Sequence, residues 1–102
     1  MKNATEQSIS TISYTLNLIG DKWSLLIIRD MMYEKKCTYN EFLNSPEGIS
    51  TNILSHRLQR LAEVGLITYT GPMKRKKYSL TDKGRGLKPV LKAIAQFGMI
   101  YK

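Results

Sequence analysis

The chain has few of the residue types on which many common functions depend. It contains one cysteine, one histidine and eight acidic residues among 102, against sixteen basic ones. A single cysteine excludes an intramolecular disulfide framework and is typical of a reducing cytoplasm. The histidine has no second metal ligand at suitable spacing, and the sequence has no phosphate-binding loop and no paired carboxylates in a glycine-rich setting. We therefore predict neither a metal site, nor a cofactor, nor an enzyme.

Long apolar runs are also absent. The longest, residues 25–28, is far below the roughly 20 residues that a membrane-spanning helix needs. The first eight residues have no apolar core and no cleavage signal, so we expect no export and a cytoplasmic location. Because 42% of the residues are hydrophobic, there is material for one modest core, and we predict a single domain over residues 1–102.

The positive charge is confined to one part of the sequence. Residues 1–63 carry seven basic and seven acidic side chains, whereas residues 64–102 carry nine basic side chains and one acidic one. The second segment therefore holds the whole net charge of +8, which favours a polyanionic partner. Double-stranded DNA is preferred to a membrane surface, because the basic cluster lies in a turn-rich hairpin and not on an amphipathic helix.

Helical periodicity occurs twice in the first third of the chain. Residues 9–19 place apolar side chains such as Ile12 and Leu16 at helical spacing. Residues 22–33 are apolar almost all round, and Asp21 fits the N-cap position before them. The second of these helices is predicted to be the central, buried helix.

A helix-turn-helix layout follows over about residues 38–64. Thr38 and Glu41 match the capping box of a short helix over about residues 38–45. A glycine-containing turn then leads to Ser50, which fits the N-cap of a fourth helix. Helix, tight turn and helix is the arrangement found in many DNA-binding domains.

The fourth predicted helix has a polar face opposite its leucines. Short polar side chains there supply hydrogen-bond donors and acceptors for base edges, and Asn or Gln can pair with adenine. A solvated helix face is the alternative, but the basic hairpin that follows favours DNA. For His56, a DNA contact and a merely solvated side chain fit equally well. The candidates for contacts in the major groove are Thr51, Asn52, Ser55, His56 and Gln59.

The hairpin is predicted to be a wing over about residues 66–80. Residues 66–69 and 77–80 are β-branched and aromatic, as in strands. Four consecutive cations at its tip are candidates for contacts with phosphates or the adjacent minor groove; a solvated turn is the alternative. These cations are Lys74, Arg75, Lys76 and Lys77.

Three further residues are candidates for contacts with the DNA backbone. Tyr39 and Asn40 lie at the start of the third predicted helix, where they could fix the register of the protein on the DNA. Arg57 lies on the flank of the fourth helix. A phosphate contact and a structural ion pair fit Arg57 equally well.

The C-terminal segment predicts an interface between two copies of the chain. Thr81 and Asp82 fit the cap of a final helix over about residues 82–101, in which Pro89 marks either a kink or the true start. Its long apolar stripe is difficult for a small domain to cover alone, so we expect it to pack with the first helix in a homodimer. The dimerisation candidates are Ile12, Leu16, Leu87, Val90, Leu91, Ile94, Phe97 and Tyr101.

Cys37 has two interpretations. Lys35 and Lys36 precede it and a predicted helix N-terminus follows, features that favour a reactive thiolate and hence a redox sensor. The alternative, favoured here, is a small packed residue at the joint between two helices.

Taken together, a series of short segments resembles one known family. The segments are Ile19-Gly20-Asp21-Lys22-Trp23, Tyr39-Asn40-Glu41-Phe42, Gly48-Ile49-Ser50, Leu54-Ser55-His56-Arg57-Leu58, Leu61, Gly65-Leu66-Ile67, Tyr78-Ser79-Leu80-Thr81-Asp82-Lys83-Gly84 and Leu87-Lys88-Pro89-Val90. Over roughly residues 10–98 they are similar, in the same order, to the HxlR-type family of bacterial winged helix-turn-helix regulators.

The resemblance implies a mainly α-helical fold with a small β-hairpin (α+β), a winged helix-turn-helix with additional N- and C-terminal dimerisation helices. It also implies a homodimer that binds an inverted-repeat operator and represses or activates nearby genes, often in response to reactive small molecules. Two features depart from the family. Ser10 and Thr11 occupy the position of a Cys-Pro pair that often senses oxidants, and the wing is about three residues shorter and lacks paired prolines.

A second class of function remains open. A winged-helix module could bind protein partners and use its positive charge only against acidic surfaces. Such a module would bind DNA weakly and without sequence preference.

Overall fold

Six helices and one two-stranded hairpin make up the part of the chain that the structure describes. This structure is a computed structural model of residues 4–102, with side chains described from residue 8 onward. None of the helices it describes has the length and apolar character that crossing a membrane requires. The elements are α1 (Ala4–Ile19), α2 (Lys22–Tyr33), α3 (Tyr39–Leu43), α4 (Thr51–Glu63), β1 (Ile67–Thr70), β2 (Lys77–Leu80), α5 (Asp82–Arg85) and α6 (Lys88–Tyr101). The expected mainly helical fold with a small hairpin is confirmed.

Side-chain caps fix where three of the helices begin. The Asp21 carboxylate accepts a hydrogen bond from the Ser24 amide at 2.8 Å, and the Ser50 hydroxyl accepts one from the Ile53 amide at 3.2 Å. Before α3, Thr38 and Glu41 form the complete capping box. These bonds satisfy backbone donors that a helix start otherwise leaves unpaired.

The core lies where α2, α3 and α4 meet the base of the hairpin. Ile28, Phe42, Leu54, Leu61 and Ile67 are its most completely buried large apolar side chains. The leucines of α4 therefore face inward, and the opposite face of this helix is left to solvent. Burial of that stripe is what holds α4 in a fixed orientation.

β1 and β2 form an antiparallel hairpin that we call the wing (residues 67–80). Its register pairs Ile67 with Leu80 and Tyr69 with Tyr78. The connection contains a short 3-10 turn over Met73–Arg75. Gly71 enters this turn with a φ of +92°, and a Cβ there would lie 2.7 Å from the carbonyl oxygen of Arg75. A glycine is required because any other side chain would strain and obstruct the turn.

The helix bounds differ from the sequence-based ones at three places. α1 begins at Ala4, and not at residue 9, and α3 ends at Leu43, two residues early. The final helix predicted over residues 82–101 is two helices, α5 and α6. Pro89 is the cause: it has no amide hydrogen to donate to the carbonyl of Arg85, and its ring would clash there. Pro89 instead occupies the first turn of α6, where no such bond is needed.

A buried carboxylate ties α2 to the turn between α3 and α4. Asp30 is 2% exposed and accepts hydrogen bonds from Arg29 at 2.7 and 3.0 Å and from the Ser45 hydroxyl. Lys36 Nζ lies 3.5 Å from the same carboxylate. Arg29 also binds Glu47 through two bonds of 2.7 and 2.9 Å. The network fixes the turn that precedes α4.

Replacing Glu47 by Gln should lower the free energy of unfolding by about 0.5 kcal/mol near pH 7, because the ion pair is partly open to water. The hydrogen bonds from Arg29 lower the pKa of Glu47 from 4.5 to about 2. The stabilisation is therefore complete above pH 4.5 and is lost as the pH falls toward 2. Urea unfolding of the wild type and E47Q between pH 7 and pH 2 should show two curves that converge in acid.

Glu34→Gln is the matched control for this comparison. Glu34 is exposed and makes no ion pair with any residue that the structure describes. Its substitution should leave the unfolding free energy unchanged. An equal loss in E34Q would mean that the effect reflects the overall charge and not the bond to Arg29.

Candidate nucleic-acid interface

The outward face of α4 carries all five residues that were predicted from the sequence to contact bases. Each of them is exposed, while the leucines on the other side of the helix are buried. This face is therefore polar and accessible along more than two turns of helix. Its residues are Thr51, Asn52, Ser55, His56 and Gln59.

Tyr39 connects α3 to this face. Its hydroxyl donates to the carbonyl oxygen of Thr51 at 3.2 Å and lies 3.3 Å from the hydroxyl of Ser55. The ring is partly buried, whereas the neighbouring Asn40 is exposed. Tyr39 thus holds α3 against the first turn of α4, a role that the sequence did not indicate.

Aromatic rings connect the wing to the core, and one of the wing's cations lies over them. The Tyr78 ring lies 6.2 Å from the ring of the buried Phe42 and 5.7 Å from that of Tyr69. The Lys76 ammonium sits 4.3 Å from the centre of the Tyr69 ring, within the range of a cation–π interaction. The rings give the base of the wing a fixed attachment to the core. Lys74, Arg75 and Lys77 are exposed.

Two adjoining grooves bring these parts together. One, of about 690 Å³, lies between the start of α3 and the wing, and all four cations of the wing tip line it. The other, of about 440 Å³, lies between α4 and the wing and includes Ser55 and Gln59. Tyr39, Lys76 and Tyr78 line both grooves. The polar face of α4, the N-terminus of α3 and the wing therefore form one concave surface.

The charges on this surface are distributed unevenly. No acidic residue lines the groove beside α3. The groove beside α4 contains Glu63, whose carboxylate accepts a hydrogen bond from the Gln59 amide at 3.2 Å. The four cations of the wing tip are at one end, and a single acid lies at the far end of α4. Such a surface suits a polyanion gripped from the side of the wing.

Arg57 points toward α2. Its Nε lies 3.2 Å from Oδ1 of Asp21 but makes no hydrogen bond with the residues that the structure describes. Burial raises the pKa of Asp21, but hydrogen bonds from Ser24 and the charge of Arg57 outweigh it, and the pKa is lowered. Of the two roles that the sequence left open for Arg57, this geometry favours the structural ion pair.

Cys37 lies at the joint between α2 and α3. Its carbonyl oxygen accepts a hydrogen bond from the Tyr78 amide at 2.7 Å, and its amide donates to the Glu41 carboxylate at 3.0 Å. Sγ lies 3.6 Å from the same carboxylate. Hydrogen bonds from the Cys37 amide, and then from Thr38, lower the pKa of Glu41. Cys37 is thus held by hydrogen bonds on both sides of its backbone, as expected of a packed residue at the joint between two helices.

The dimerisation candidates divide into two groups. Leu87 is only 8% exposed and belongs to the core of this chain, and Leu91 packs partly against that core. Leu87 therefore has almost no surface to offer a partner, because the break between α5 and α6 turns it inward. The others are exposed, with Phe97 at 66% and Tyr101 at 73%. This exposed group is Ile12, Leu16, Val90, Ile94, Phe97 and Tyr101.

A structural role for Arg57 means that its ion pair with Asp21 stabilises the fold. We expect R57Q and D21N each to lower the free energy of unfolding, because each removes the ion pair. Asparagine can still cap α2, so D21N removes the charge without removing the cap. The double variant should be less destabilised than the sum of the two, with a coupling energy of about 0.5 kcal/mol. Urea unfolding of the four proteins measures this. Strict additivity would show that the pair contributes nothing.

Comparisons with known proteins agree with the helix-turn-helix fold. A family model described as HxlR-like helix-turn-helix matches residues 18–102. The uncharacterized HTH-type transcriptional regulator YdzF of Bacillus subtilis (strain 168) is 34% identical over 104 residues, which cover 97% of this chain and 94% of YdzF.

Two solved structures are similar in fold and sequence. That of PA1607 has a TM-score of 0.81 and 41% identity over 88% of this chain, which spans 63% of the PA1607 chain. That of a possible HxlR family transcriptional factor from Thermoplasma volcanium GSS1 has a TM-score of 0.66 and 31% identity, covering 82% of this chain and 81% of the other. The expectation of a regulator and not an enzyme is confirmed. The chain belongs to the HxlR-like helix-turn-helix family of transcriptional regulators.

Proposed function

We propose that the protein is a homodimeric, sequence-specific DNA-binding regulator that acts on an inverted-repeat operator in the bacterial cytoplasm. The observation that carries the proposal is the single concave surface shared by α4, the start of α3 and the wing. Base edges and the phosphate backbone lie side by side in duplex DNA. A helix face that reads bases must therefore sit beside cations that hold phosphates.

In this proposal α4 enters the major groove. Asn52 and Gln59 can each make paired hydrogen bonds with an adenine, and Ser55 can act as donor or acceptor. Gln59 retains a second amide hydrogen and its carbonyl oxygen beyond the bond that it makes to Glu63. Thr51 and His56 complete the reading face, and all five side chains are free of the core.

The wing and α3 then hold the backbone. Lys74, Arg75 and Lys77 are exposed and reach the phosphates or the adjacent minor groove, while Lys76 is held over Tyr69. Asn40 contacts the backbone from the first turn of α3. Tyr39 contributes chiefly by fixing α3 to α4, since its hydroxyl is already bonded there.

The dimer is proposed to form through α1 and α6. Ile12, Leu16, Ile94 and Phe97 are each at least half exposed, and the Phe97 and Tyr101 rings lie 5.0 Å apart. An apolar surface of this kind on both terminal helices is more than a monomer usually leaves to water. A two-fold dimer sets the two reading helices about one or two DNA turns apart, so the operator should contain two half-sites.

Substitutions in the wing and in α4 should affect DNA binding in different ways. The K74Q/R75Q double variant should weaken binding to all sequences alike and reduce the salt dependence by a slope of about 0.9 for each lost phosphate contact. The N52A/Q59A double variant should instead lose discrimination between the operator and random DNA, by tenfold or more. Fluorescence anisotropy across a salt series, with an operator selected from random sequence, measures both effects.

Lys92→Gln is the control for loss of charge, because Lys92 lies on α6 and not in either groove. It should leave affinity and salt slope unchanged. If the wild type shows no preference for any selected sequence, the protein is instead a winged-helix module for acidic protein partners, and the proposed function is wrong.

Phe97→Glu should separate the two subunits. It places a charge in the apolar surface of α6, where burial against a partner would be strongly unfavourable. Light scattering after size exclusion should show a mass close to 11.7 kDa, and operator affinity should fall because two linked half-sites become independent. Thr68→Glu, an exposed strand position of the wing, should remain dimeric. A dimeric F97E would contradict the proposed interface.

A further inference from the structure

A separate pocket lies beside the wing. It has a volume of about 420 Å³ and opens between the C-terminal end of α2, residues 35–37, β2 and the start of α6. With the two grooves described above it shares only Tyr78. Its volume lies in the range of small-molecule sites. We call it the side pocket.

The side pocket combines an apolar lining with positive charge. Met31, Met32 and Leu80 supply apolar surface, and no acidic residue lines it. Its basic residues come from two separate parts of the chain. They are Lys35, Lys36, Arg85 and Lys88.

Two of these four cations are already neutralised within the protein. Lys36 lies 3.5 Å from the Asp30 carboxylate and donates to Ser45 at 3.1 Å. Arg85 pairs with Asp82 and donates to the carbonyl oxygen of Leu80 at 2.8 Å.

The other two cations, Lys35 and Lys88, are available to a ligand. Within the part of the chain that the structure describes, neither side-chain ammonium group has a hydrogen bond or an ion pair. Lys35 also has a φ of +56°, the only positive φ of a non-glycine residue there. Such backbone conformations occur often at ligand clamps and switch segments.

We propose that the side pocket binds a small organic carboxylate with an aromatic or aliphatic body. The carboxylate pairs with the ammonium groups of Lys35 and Lys88, which have no other counter-ion. The body of the molecule lies against Met32 and Leu80. An uncharged molecule would leave the two cations unpaired, and an inorganic anion would leave the apolar surface in contact with water. The lining therefore selects for a molecule that has both parts.

Such a ligand would regulate DNA binding, a step that rests on the proposed function. The segment that carries Lys35 continues into Cys37, whose carbonyl oxygen holds β2 through Tyr78. The amide of the same cysteine holds the Glu41 side chain that caps α3. A ligand on Lys35 therefore acts on the wing and on the start of α3 together. If the ligand prefers one arrangement of that segment, it changes the affinity of the protein for DNA. By thermodynamic linkage, DNA then changes the affinity for the ligand by the same factor.

The test uses 2-naphthoate as the probe and the neutral 2-naphthamide as its counterpart, with the full chain and no DNA. Isothermal titration calorimetry should give one site per chain for naphthoate. Binding of naphthamide should be at least tenfold weaker. The K35Q/K88Q variant should lose at least tenfold in naphthoate affinity, and K92Q should lose none, although Lys92 borders the apolar groove between α2 and α6. Far-ultraviolet circular dichroism confirms that each variant is folded.

Three results would overturn the proposal. One is the absence of naphthoate binding, and another is equal binding of naphthoate and naphthamide. The third is naphthoate binding that survives K35Q/K88Q, or that K92Q weakens equally, which would place the ligand elsewhere. A separate titration of operator with and without naphthoate tests regulation: a shift in wild-type affinity that K35Q/K88Q abolishes supports it. If no operator is bound at all, the proposed function is wrong. The calorimetry still shows whether the side pocket binds naphthoate, because it is done without DNA.

Discussion

The carboxylate of Asp30 is the constraint on which the half of the protein proposed to face DNA depends. A charge buried in so small a core is unfavourable unless it is neutralised and hydrogen-bonded. Arg29, Lys36 and Ser45 meet this requirement, and they come from the central helix, the segment after it and the turn before α4. These three parts cannot move independently without leaving the charge unpaired. The position of α4 is thus set by electrostatics as well as by its leucines.

The wing is attached to the core by aromatic packing and a backbone hydrogen bond, and, among the residues that the structure describes, not by ion pairs. Its base is held by the rings of Phe42, Tyr78 and Tyr69 and by the backbone bond from Tyr78 to Cys37. Burial raises the pKa of Tyr78, in keeping with a ring that packs against the core. The tip projects beyond these contacts and exposes Lys74, Arg75 and Lys77 to solvent. A firm base with an extended tip suits a device that must find phosphates whose exact position varies from one DNA sequence to another.

Most of the exposed large apolar side chains in the described part of the chain lie on α1 and α6. α1 and α6 carry several apolar side chains that are half or more exposed, whereas most of the buried core comes from α2, α3, α4 and the hairpin, with Ile19 and Leu87 added from the ends of the two terminal helices. The surface proposed for reading DNA and the surface proposed for dimerisation are therefore on different parts of the molecule. The side pocket lies between the wing and the start of α6, so a ligand there would touch elements related to both.

The sequence by itself determined the elements and the character of their faces. Periodicity, the caps at Asp21, Thr38 and Ser50, and the charge division near residue 64 are local signals that a single chain displays. They identified the polar face of α4 and the cationic tip. Only the tertiary structure decided which side chains meet. Four findings depend on contacts between segments that are distant in the sequence. Leu87 turns into the core and Arg57 faces Asp21. Tyr39 binds α4, and Lys35 and Lys88 line the same pocket. Local propensity contains no information about such distances, because they arise only when the elements pack.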